Sequence, residues 1–286
     1  MDSAAIVKLI LIGGVVLIVV SIGLRARPVD ALLLIRNPAL GARAMTAMFV
    51  IVPAFVVLMT LVLPLDRPIR AALLALAMSP MPPILSGKEI KAGGDADYAI
   101  GLQVLATAVS IIVVPVMMLL LGAIFGQALT FDPIGMATTL AITVGVPLAI
   151  GLGVAQLLGD QRMLLATWAG RLGMAALGVG TLIILYVSAP NMGALIGSGV
   201  LWAAAAMTFV GLAAGHLLGG PGLGNRGALA VASAARHPGV AIALAAGAFP
   251  DDKTAIVGVV LLYLLANAVV TIPYMKWRAR ALAVER

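Results

Sequence analysis

Apolar residues run along the chain in long blocks, separated by short polar or Pro/Gly-rich connections. The hydrocarbon core of a bilayer needs about 20 apolar residues per helix. Blocks at 4–24, 39–63, 69–91, 96–125, 134–158, 164–188, 194–219, 224–249 and 254–276 meet that length. The pattern predicts nine transmembrane helices. The first block is too long for a cleaved signal peptide and runs into RARPVDALLLIRNP without a small-residue cleavage site. Pro38, Pro64, Pro133, Pro190, Pro221 and Pro250 fall near expected span ends. With connections this short, the expectation is an all-α polytopic membrane protein, residues 1–286 forming a single transmembrane domain without a soluble part.

Two blocks do not read as continuous helices. The third, PIRAALLALAMSPMPPILSGKEIKAGG, carries Pro80, Pro82 and Pro83. These residues donate no backbone hydrogen bond, and their rings clash with the preceding turn. A helix over about 69–79, an extended stretch and a short second helix over about 84–92 are predicted from that breaker chemistry. The eighth, NRGALAVASAARHPGVAIALAAGAF, is interrupted near its middle by Pro238 and Gly239. Peptide groups freed at membrane depth are tolerated only where protein or a wet cavity surrounds them. The breaks lie five spans apart, an odd offset that gives the two units opposite orientation in the membrane. This predicts an inverted repeat with two crossing broken helices and a binding site where they meet. Spans 1–4 pair with spans 6–9, span 5 connects them, and the core forms around 69–125 and 224–276.

Composition fits this picture. The chain is 63% apolar and 10% charged, with a mean hydropathy of +1.17, against about 45–50% and about 25% for a soluble domain. That excludes a soluble enzyme and a disordered chain. The net charge of +7 does not indicate nucleic-acid binding, because Lys and Arg punctuate apolar blocks and do not cluster on a folded face. With no cysteine, there are no disulfides, thiolate metal sites or cysteine nucleophiles. Thirteen Lys and Arg residues (Arg25, Arg27, Arg36, Arg43, Lys88, Lys91, Arg162, Arg171, Arg226, Lys276, Arg278, Arg280 and Arg286) fall on one side of the nine-span arrangement. Four (Lys8, Arg67, Arg70 and Lys253) fall on the other. The positive-inside rule then puts the C-terminus in the cytoplasm and the N-terminus outside, in a cell inner (plasma) membrane.

The remaining cation, Arg236, lies inside the eighth span beside His237, and Lys88 and Glu89 follow the first break. Intramembrane ionisable groups are costly unless paired or hydrated, which makes these four functional candidates. An Arg236–Glu89 or Lys88–Glu89 pair is one expectation, and an interfacial position for Lys88 and Glu89 is the other. Gln103 and Asn267 are polar residues within the fourth and ninth spans. Asp95 suits a helix cap, and Asp251, Asp252 and Lys253 a solvated outer turn. No metalloprotease, nucleophile-elbow or phosphate-loop motif occurs, so no catalytic or metal-binding residue is assigned.

SIGLRARPVDALLLIRNPALGARAMTAMFVIVPAF, the proline-rich break with KAGGDADYAIGLQVLATAVSIIVVPVMM, ARHPGVAIALAAGAF and LLANAVV occur in an order that resembles the bile acid:sodium symporter family. The resemblance covers nearly the whole chain and is to a nine-helix member. It implies a core and a panel domain, two crossing broken helices, two sodium sites and organic-anion substrates. The sodium-site motifs depart from the family pattern. Where the family has Glu-x-Gly-x-Gln-Asn, this chain has ASAARH, with Ala232, Arg236 and His237 in place of Glu, Gln and Asn. Ala99 and Gln103 replace polar Ser and Thr, Met48 replaces Gln, and Leu85-Ser86 stands approximately where Ser-Asn is found; Asn267 is retained.

The reading is therefore a secondary active transporter of a small organic anion, working by alternating access in the bilayer without the usual sodium coupling. It needs no cofactor, and both a monomer and a homodimer are compatible with it. Pro82, Pro83, Ser86, Gln103, Arg236, His237, Gly239 and Asn267 are expected to line the substrate site. Lys88, Glu89, Arg236 and His237 are expected to couple or to substitute for ionic charge, with Arg236, together with Lys88, standing in for a bound sodium. Open alternatives are proton symport through His237 and Glu89, and sodium symport through rearranged ligands. An intramembrane enzyme or a channel fits less well.

Overall fold

The computed structural model describes residues 3–26, 29, 32–82, 95–125 and 133–284. Among them the regular structure is helical and no strand occurs. Helix α1 is Ser3–Arg25, a short α2 is Leu33–Arg36, and α3 runs over Pro38–Val62. Helix α4 is Arg67–Met78 and α5 is Ala96–Phe125. Helix α6 comprises Pro133–Leu140, Ala141–Gly145 and Val146–Leu158. Then come α7 (Arg162–Ile196), α8 (Val200–Leu218), α9 (Leu223–Ala234), α10 (Pro238–Ala248) and α11 (Lys253–Val284).

Seven stretches of the described residues are long and apolar enough to cross a membrane, with α9 and α10 counted as one. Helix α1 adds a shorter apolar stretch, Leu9–Arg25. Helix α4 is the first half of the broken third span, and the predicted half-helix at 84–92 lies outside the described residues. Length and composition thus carry seven of the nine expected spans. Helix α7 runs past Pro190 to Ile196, while its candidate span among the described residues is Gln161–Ile183 and stops short of that proline. Gly199, with φ of 84°, makes the turn into α8.

Helices α3 and α6 each contain a wide, π-type turn, at Ala47–Ile51 and Ala141–Gly145. A proline follows each, Pro53 and Pro147, and interrupts the hydrogen-bond ladder. The Asp95 carboxylate accepts from the Tyr98 N–H at 3.0 Å, capping α5 as its position suggests. The Asp251–Lys253 turn is not simply solvated. Arg67 Nε reaches Asp252 Oδ2 at 3.3 Å and the guanidinium lies 4.5 Å from the Phe249 ring centre, tying the start of α4 to the α10–α11 turn.

The helices differ in how deeply they are enclosed. Over an 18-residue apolar stretch 72% of α9–α10 is buried, against 22% for the corresponding stretch of α7. Helices α3, α4, α8, α10 and α11 share the largest apolar cluster, built on residues such as Leu73, Leu76, Met207 and Val260. A second cluster joins α3, α5 and α9. Helix α1 packs instead on α6 and α7 through Ile18, Ile22, Val144 and Leu148. Large apolar side chains face outward, Leu157 at 85% and Trp202 at 83% exposure, as suits a surface whose solvent is lipid.

Glycines set the closest approaches. A Cβ on Gly151 would stand 2.5 Å from the Val20 carbonyl oxygen, and one on Gly23 would stand 2.6 Å from that of Leu148. Helices α1 and α6 therefore touch backbone to backbone. Gly151→Val should separate them and cost about 1–3 kcal/mol, the range for overpacking a close contact. Thermal unfolding in detergent measures it. Gly153→Ala, on the same helix with open space around it, should leave the transition unchanged or slightly raised.

Candidate functional site

The two breaks meet. Helix α4 ends at Met78, Ser79 is extended (φ −68°, ψ 147°), and residues 79–82 are non-helical. Helix α9 ends at Ala234, and Ala235 (φ −93°, ψ 142°) and His237 (φ −78°, ψ 106°) are extended before α10 begins at Pro238. Pro238 thus opens the second half-helix, at the one place where its missing N–H and fixed φ are favourable, and the interruption lies just before it. The His237 N–H is shared between the Pro80 carbonyl at 2.9 Å and Ser79 Oγ at 3.1 Å. Ser79 Oγ in turn donates to the Leu76 carbonyl at 2.8 Å. Backbone groups freed by one break are satisfied by the other, as a membrane interior demands.

Arg236 lies in the middle of this crossing, 1% exposed. Its Nη2 donates to the Met48 carbonyl at 2.8 Å and to the Ser233 carbonyl at 3.2 Å, and its Nη1 to the Ser79 carbonyl at 3.3 Å. The three acceptors come from the wide turn of α3, the last turn of α9 and the end of α4. Pro53, five residues after Met48, has no N–H to offer that carbonyl in a wide-turn ladder. The C-terminal ends of α4 and α9 carry partial negative charge, so the guanidinium sits where two helix dipoles favour a cation. Its Nε has no acceptor among the described residues. The expected carboxylate partner Glu89, with Pro83, Ser86 and Lys88, lies outside the described residues.

His237 caps the second half-helix. Its Nδ1 accepts from the Val240 N–H at 3.3 Å. That bond assigns the neutral tautomer with the proton on Nε2. A proton on Nδ1 would remove the cap. Gly239 follows, exposed in the first turn of α10 between half-buried Pro238 and Val240. Asn267 Nδ2 donates to the Ala234 carbonyl at 3.0 Å and to Thr208 Oγ1 at 3.4 Å, and Tyr263 Oη donates to the same carbonyl at 3.0 Å. Helix α11 thereby holds the end of α9 from behind. The structure thus gathers Arg236, His237, Gly239 and Asn267 at one crossing with the Ser79–Pro82 segment. Gln103 is buried on α5, donates to Thr107 Oγ1 at 3.4 Å and leaves its Oε1 without a partner among the described residues.

Sequence reasoning did not single out Ser79, Thr208, Ser233, Tyr263 or the Met48 carbonyl. Ser79 directly precedes the first proline of the break, and Pro53 marks the interrupted ladder of α3; both signals are readable. Tyr263 and Thr208 act through single hydrogen bonds across helices, which no spacing announces. Tyr263→Phe and Asn267→Leu each remove one donor from the Ala234 carbonyl and should cost about 1 kcal/mol. Together they should cost more than their sum, because the buried acceptor then has neither donor. Thermal unfolding of the two single variants and the double variant measures the coupling.

The sequence model of the sodium bile acid symporter family matches residues 12–195, a match that ends before the second break. No curated relative matches the chain. Members of this family are transporters of organic anions, and the apolar helices fit a multi-pass membrane protein. By that match, which spans more than half of its length, this chain belongs to the sodium bile acid symporter family.

Proposed function

We propose that the chain carries a small organic anion across the plasma membrane by alternating access, with Arg236 as a fixed cation in place of a coupling sodium ion. The carrying observation is the guanidinium held by the carbonyls of Met48, Ser79 and Ser233 at the crossing of two half-helices. Half-helix C-termini and unwound carbonyls are what binds a sodium ion in transporters with broken helices. Here an arginine side chain occupies those acceptors, and Ala232 brings no carboxylate to neutralise an added ion.

The full arrangement is nine spans with spans 1–4 and 6–9 as inverted repeats. Helices α4 and α9 support this reading, being 12 residues each and each ending in an extended residue. So do Pro115 inside α5 and Pro273 inside α11, the last helices of the two halves. Helices α1, α6 and α7 form the panel against which the remaining helices move, because they pack on each other through their own apolar clusters. The C-terminus is cytoplasmic, on the charge asymmetry of the loops. Substrate sits beside Pro82, Gly239 and the His237 ring, where the positive end of α10 faces the anion. Pro83, Ser86 and Gln103 complete the lining, with Lys88 and Glu89 at its edge. The chain performs no chemistry on its cargo.

Uptake of a labelled organic anion into proteoliposomes should be saturable, show trans-acceleration, and be equal in sodium and choline buffers. Arg236→Gln should reduce it to background, since three buried carbonyls then lose a charged donor. A steep sodium requirement would sink the fixed-cation reading and favour a sodium symporter. Uptake driven by an imposed pH gradient, and lost in His237→Gln, would favour the proton symporter.

A further inference from the structure

A shallow groove of about 370 Å³ runs between α8 and α11. Phe209, Leu212, Leu217 and Val270 form its apolar walls, and His216 and Tyr274 stand toward the C-terminal ends of both helices. Phe209 is 65% exposed and Leu217 79%, so the groove opens on the lipid-facing side. Its C-terminal end carries polar aromatic groups. His216 Nδ1 and Tyr274 Oη are 2.8 Å apart, and the Trp277 ring lies 5.6 Å from that of His216 and 5.7 Å from that of Tyr274.

Positive charge gathers at the same end. The Arg278 guanidinium stands 5.6 Å from the Trp277 ring centre and donates through Nη2 to the Leu223 carbonyl at 2.7 Å. Arg278 is 4% exposed and its Nε lacks an acceptor among the described residues. Arg226 Nε donates to the Gly220 carbonyl at 2.9 Å. A Cβ on Gly220 would stand 3.8 Å from Nη1 of Arg43. Three arginines thus surround the 219–223 turn, and among the described residues none forms an ion pair with a carboxylate. The Arg67–Asp252 pair lies at the other end of α11.

We propose that this groove is a binding site for an anionic phospholipid. One acyl chain lies along Phe209, Leu217 and Val270, and the phosphate sits at the His216–Tyr274–Trp277 end in the field of Arg278 and Arg226. An apolar slot open to lipid, capped by an aromatic cluster and by arginines that have no carboxylate partner among the described residues, complements a molecule with an apolar tail and an anionic head. A zwitterionic lipid would gain nothing from the arginines. A second copy of this chain would bring further arginines to the same end.

The test uses the full chain with Trp168→Phe and Trp202→Phe, which leaves Trp277 as the sole tryptophan. The protein is reconstituted into phosphatidylcholine vesicles doped with brominated phosphatidylglycerol or brominated phosphatidylcholine. Quenching by the anionic lipid should saturate at low mole fraction, whereas the zwitterionic lipid should quench only in proportion to its abundance. Arg278→Gln should raise the phosphatidylglycerol fraction for half-quenching by about five-fold, the effect of removing one cation from beside the headgroup. Ala213 also lines the groove, and Ala213→Leu, which fills it without touching a charge, should remove the saturable component while thermal unfolding shows the fold intact. Equal quenching by the two lipids would reduce the groove to ordinary boundary lipid and overturn the proposal. So would a saturable component unchanged in Ala213→Leu, or absent quenching with a dimer seen by native mass spectrometry.

Discussion

A guanidinium buried among backbone carbonyls is the constraint around which this structure is arranged. Moving a cation out of water is costly, and the cost is recovered only when its donors find acceptors. Arg236 does this without a carboxylate among the described residues. It uses carbonyls that the breaks in α4 and α9 and the wide turn in α3 leave available. The interruptions and the charge therefore solve each other's problem. Unwound backbone in a membrane needs donors, and a buried arginine needs acceptors. A lysine would not do the same, because a compact ammonium lacks the planar fork that spans three oxygens on three helices.

The crossing depends in turn on close packing behind it. A Cβ on Gly211 would stand 2.6 Å from the Ala234 Cα, and one on Gly215 would stand 2.4 Å from the Leu229 carbonyl oxygen. Helix α8 therefore lies directly against α9 and fixes where that helix ends. Tyr263 and Asn267 then bind the Ala234 carbonyl from α11, and His237 caps the start of α10. The end of one half-helix and the start of the next are held by different neighbours. The three non-helical residues between them can therefore move without unravelling either helix, which suits the segment proposed to meet the substrate.

Much of this was legible in the sequence because it rests on local chemistry. Prolines in the third block and at Pro238 locate both breaks to within a few residues, since a missing N–H acts wherever the chain goes. Arg236 stands out because an arginine inside an apolar block needs an explanation. The partners of Arg236 were not legible. A carbonyl belongs to every residue, so nothing in the identity of Met48 or Ser233 marks it as an acceptor, and an acidic partner was the natural expectation. Span counting met a different limit. Among the described residues α1 contributes the apolar stretch Leu9–Arg25 and α4 the described half of the third span, so the count there stops at seven.

A fixed charge has an energetic consequence that a bound ion does not. In the proposed cycle Arg236 moves no net charge of its own across the membrane, and no sodium gradient is drawn upon. A monovalent anion then crosses alone and feels the full membrane potential, about 2.3 kcal/mol per 100 mV. With the interior negative, that field favours efflux by about 50-fold in concentration ratio at 100 mV. A carrier of this kind accumulates its substrate inside only by exchanging it for another anion. The same arginine that replaces the coupling ion in the crossing therefore points the proposed transport outward, or toward exchange.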